Sequence, residues 1–121
     1  MANEIKRSFS IPEPMNGRIR VIFTDDMLAS VSKIAPTQTF LHDIAAYCDD
    51  ETPGAPIMVL CRDCPLPDII HEADHAAFCI LAGMGIGITV KDNEAHAYLL
   101  EYIVSRVLKL KEKVEGYETQ V

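Results

Sequence analysis

At 121 residues the chain has the size of one domain, and a hydrophobic content of 49% gives it enough apolar surface to form a core without metal or disulfide staples. Eighteen acidic residues against eleven basic ones leave a formal charge of −7, which repels phosphate backbones and anionic lipid and so argues against nucleic-acid or membrane partners. No uncharged apolar run reaches the ~18 residues of a membrane span, and the N-terminus lacks a secretory pattern, so a cytoplasmic protein with free, metal-bound or redox-active thiols is expected.

Residues 1–17, with Pro12, Pro14 and Gly17, read as an irregular N-terminal arm ahead of a single α/β domain over 18–121. Arg18 to Thr24 is rich in β-branched and aromatic residues and short enough for a buried strand. Asp25 can cap a following helix in which Met27, Leu28, Val31 and Ile34 recur at helical spacing, and Pro36 ends it. Phe40, Leu41, Ile44, Ala45 and Cys48 share one stripe of a second short helix, capped by Thr37. Asp49 to Pro56 is turn chemistry, and Ile57 to Leu60 is a strand.

Beyond Pro67 two readings compete. One helix can run from Pro67 to Ala82, with Gly83 as its stop; alternatively a short helix ends near Asp74 and Ala76 to Ala82 forms a third buried strand. Apolar character on all sides favours the strand. A helix would leave Phe78 beside His71 and His75 on its polar side. Gly87 to Val90 reads as a further short strand. The longest helix starts at Asp92 or Asn93 and reaches about Glu115. Its row of Leu100, Ile103, Val107, Leu110 and Val114 is widened by Leu99, Val104 and Leu108, a stripe broad enough to suggest a homodimer. Arg106, Lys109, Lys111 and Lys113 alternate with Glu112 and Glu115, as on a solvated helix face.

The expected fold is a small three-layer, Rossmann-like α/β domain of three or four mostly parallel strands with helices on both faces. Ligands of such sheets bind beyond the carboxyl ends of the strands. There the sequence places Asp25, Asp26, Cys61, Cys64, Gly83 and Gly85, the candidate pocket for a small molecule or a metal ion, with Cys61 and Cys64 as metal ligands.

Two short stretches also carry family resemblances. Cys61-Arg62-Asp63-Cys64, between a strand and a helix, resembles the dithiol of thioredoxin-like redox proteins, which implies Cys61 as nucleophile and Cys64 as resolving thiol. His71-Glu72-Ala73-Asp74-His75 resembles the HExxH pattern of zinc metalloproteases, which implies His71 and His75 as zinc ligands and Glu72 as general base. That second chemistry requires the helix reading of the segment. His42 and His96 stand alone on predicted helices, and Cys48 and Cys79 sit in apolar company.

Overall fold

The computed structural model describes residues 3–38, 44–87, 89 and 93–120, with side chains as far as residue 116. Four strands form one sheet: β1 (Glu4–Ser10), β2 (Arg18–Thr24), β3 (Ala46–Asp49) and β4 (Ile57–Cys61). Three helices accompany it: α1 (Met27–Ile34), α2 (Leu66–Gly83) and α3 (Glu94–Gln120). No helix among the described residues is long and apolar enough to cross a membrane.

The strand order is β1-β2-β4-β3. Only β2 and β4 run parallel, while β1 with β2 and β3 with β4 are antiparallel. The mostly parallel arrangement expected from the sequence is therefore corrected to a mixed, mostly antiparallel sheet. Both antiparallel partners were hidden in segments that look unlike strands. Within the supposed arm, Ile5, Arg7 and Phe9 alternate with Lys6 and Ser8, and Phe9 is buried. Ala46–Asp49, expected as the end of a second helix at Cys48 and the start of a turn at Asp49, instead pairs with β4 through Cys48 opposite Met58 and Asp49 opposite Ile57. Residues 39–43 of that expected helix, His42 included, lie outside the described residues.

Alternation along the two central strands sorts the core. Ile19, Val21 and Phe23 of β2 join Met58 and Leu60 of β4 in the large cluster with α2 and α3. Ile22, Ile57 and Val59 join Val31 of α1 in a smaller one. Asp26 caps α1, accepting from the amide of Ala29 at 3.1 Å, and Ser30 Oγ lies 2.7 Å from the fully buried Thr24 hydroxyl.

The segment from Leu66 to Gly83 is one helix, which overturns the strand expected at 76–82. Pro67 suits its first turn, and Asp68 complements the positive end of the helix dipole. Ile69, Ala73, Ala76, Ala77 and Ile80 recur at three- and four-residue steps and are buried. The run looks apolar all round because α2 touches β3 and β4 as well as α3. Phe78 does stay outside, 46% exposed, with its ring centroid 4.5 Å from that of His96. The strand expected at Gly87–Val90 falls partly outside the described residues, and Gly87 and Thr89 are in no strand. In α3, Leu99, Ile103, Val107 and Val114 are buried, while Leu100, Val104, Leu108 and Leu110 are partly buried against the same core.

Candidate metal centre

The carboxyl ends of β2 and β4 do meet, with Thr24 opposite Cys61. Yet each residue expected to hold a ligand there has structural work. Asp25 accepts from the backbone and side-chain nitrogens of Asn3, both at 2.8 Å, and these bonds hold its carboxyl below the usual range. Asp26 is the α1 cap. The Cys64 amide donates to the Cys61 carbonyl at 3.2 Å, the Cys64 thiol lies 3.7 Å from the Pro65 carbonyl, and Cys64 is buried. Burial pushes both thiols up, Cys64 to about 12, opposing the lowering that a helix N-terminus brings.

Gly83 and Gly85 are not at that edge. Because α2 runs unbroken, Gly83 is at its far end, packed on Gly54 in the loop before β4, and Gly85 takes a left-handed turn with φ of 71°. The helix that removes the glycines from the strand ends assembles a different site. His71 and His75 lie one turn apart on α2, their ring centroids 5.0 Å apart. With the carboxylate of Glu72 they offer three ligand atoms all within 4.8 Å of one another. Around a tetrahedral zinc with bonds of about 2.1 Å, ligand atoms stand about 3.4 Å apart. The three side chains must draw together by up to about 1.4 Å to share one, and His71, whose side chain is 70% exposed, has room to turn.

Glu72 is the unusual member. It is only 8% exposed, Oε1 lies 3.8 Å from His71 Nε2, and the buried Oε2 has no hydrogen-bond partner among the described residues. Burial raises its pKa, the two histidines oppose that rise, and Asp68 and Asp50 add to it. A buried carboxylate oxygen without a partner is costly, and a bound cation or its water ligand is the kind of group that satisfies it. Asp50, just after β3, brings Oδ2 to 3.9 Å from His75 Nδ1. Elsewhere on α2, His96 Nε2 meets Asp74 Oδ1 at 2.7 Å, tying the first turn of α3 to that helix.

Comparison with family models, curated proteins and solved structures finds no match for this chain. Its chemistry is therefore read from these side chains alone. The spacing of His71 and His75 was visible in the sequence. Asp50 was missed because it lies in a loop distant in sequence, and its only signal was its place in the acidic run Asp49-Asp50-Glu51.

Proposed function

We propose that the protein is a zinc-dependent hydrolase built on the HExxH segment of α2. The single observation that carries this reading is the convergence of His71, His75 and the buried, unpartnered Glu72 carboxylate on one helical face. Two imidazoles favour a borderline ion such as zinc over magnesium or calcium, which prefer all-oxygen sites. When bound, such an ion polarises a carbonyl and acidifies its water ligand.

Within that frame His71 and His75 hold the metal. Glu72 takes a proton from the water as the water oxygen bonds to the substrate carbonyl carbon. It then returns that proton to the departing nitrogen or oxygen as the scissile bond breaks. Catalytic zinc sites use three protein ligands and keep a position open for water. The side chain of His75 is half-exposed, which leaves room for such a position.

The reading is tested by metal analysis of purified protein and by hydrolysis of a fluorogenic peptide and ester panel. About one zinc per chain, lost in His71→Ala and in His75→Ala, is expected, with activity abolished and metal kept in Glu72→Gln. Metal that stays bound after both histidine substitutions would refute it. A second reading, a metal or small-ligand site at the Cys61–Cys64 pair, is supported by the tight turn that brings the two residues together, the Cys64 amide donating to the Cys61 carbonyl. Metal lost in Cys64→Ser and kept in His71→Ala would favour it.

A further inference from the structure

We infer that Asp50 is a positioning residue of this centre, fixing His75 so that Nε2 faces the metal. The inference rests on the metal reading above. Metal-bound histidines characteristically donate their second ring N–H to a carboxylate or carbonyl, which sets the tautomer and the ring plane. His75 presents Nδ1, not Nε2, to the Asp50 carboxylate, and the 3.9 Å separation is an ion-pair contact that a modest ring rotation shortens to a hydrogen bond. Asp50 lies outside the cluster of His71, Glu72 and His75, whose ligand atoms all stand within 4.8 Å of one another, and meets that cluster through His75.

The loop that carries Asp50 is clamped to the same helix one turn further on. The Cys79 thiol donates to the Thr52 carbonyl at 3.2 Å and lies 3.7 Å from the Asp50 carbonyl, while the Gly54 amide donates to the Cys79 carbonyl at 2.9 Å. Gly83 completes the clamp: a Cβ there would stand 2.6 Å from the Gly54 backbone. Cys79, which the sequence marks only as a small apolar residue, thus sets the height at which Asp50 meets His75.

The test is zinc affinity by competition with a chromophoric chelator, for wild type, Asp50→Ala and Asp50→Glu, with long-range proton–nitrogen NMR of the zinc-loaded histidine rings. Asp50→Ala should weaken zinc binding about 10–100-fold, and Asp50→Glu should restore part of it. In wild type, His75 should show a protected Nδ1–H with Nε2 on the metal, a signature lost in Asp50→Ala. Affinity within twofold of wild type and an unchanged His75 tautomer would overturn the inference while leaving the metal centre standing. Loss of zinc as complete as in His75→Ala would overturn it in favour of Asp50 as a direct ligand. A wild-type protein that binds no zinc overturns the centre itself, and this role with it.

Discussion

Replacing Gly83 with alanine tests the junction on which the loop of Asp50 rests. The added Cβ would meet Gly54 Cα and N at 2.6 Å and the Pro53 carbonyl carbon at 3.1 Å. All three are backbone atoms, so no side chain can swing away. Ordinary contact begins near 3.4 Å, so the loop must retreat by nearly 1 Å. Overpacking of this kind costs about 1–3 kcal/mol. Alanine recovers at most about 0.5–1 kcal/mol of helix propensity, less at the last residue of a helix, so a net loss of about 1–2 kcal/mol is expected. For 121 residues, an unfolding entropy of about 2.1 cal/mol/K per residue converts each kcal/mol into about 4 °C. Thermal unfolding followed by circular dichroism should therefore show the midpoint falling by about 4–8 °C. Gly116→Ala is the control: it lies in α3 with nothing within 4 Å of its new Cβ, and should raise the midpoint slightly. A Gly83→Ala protein as stable as wild type would refute the close-packing argument.

Two further outcomes follow from burial. Glu72 has a raised folded-state pKa, so its protonated form adds stability in full below the unfolded carboxyl pKa, and this is lost as pH rises through the folded value. In metal-free protein, Glu72→Gln should therefore gain on wild type as pH rises above 4.5, a trend that melting curves at matched ionic strength check and that a constant or shrinking gap would contradict. The Cys64 thiol, pushed up to about 12 by burial, should alkylate at pH 7 far more slowly than a free cysteine, with Cys61 also slowed. Mass-spectrometric labelling that finds either of them fast would return attention to dithiol chemistry.

The central strands β2 and β4 and helices α1 and α3 were legible because each has one periodicity and clear stops. β1 was not, since a strand at a sheet edge buries little more than Phe9 and its pattern is correspondingly faint. α2 was misread for the opposite reason. A helix covered by sheet on one side and by α3 on the other loses the polar stripe that makes a helix recognisable, and length alone could have argued for it. The candidate site inherited that ambiguity. HExxH spacing has chemical meaning only on a helix, and a strand at 76–82 would have set Gly83 and Gly85 at a strand end, whereas the structure sets them in a packing contact and a turn.

The double coverage of α2 also divides the centre into two parts with different lifetimes. His71 and Glu72 belong to a helix whose inner face is core, so their backbone opens only when much of the domain does. Asp50 stands on a half-exposed loop held by a thiol contact and a few backbone bonds, which can open locally at far smaller cost. Exchange of a bound ion would then follow the breathing of the loop and not that of the helix, leaving the imidazole spacing intact through each opening.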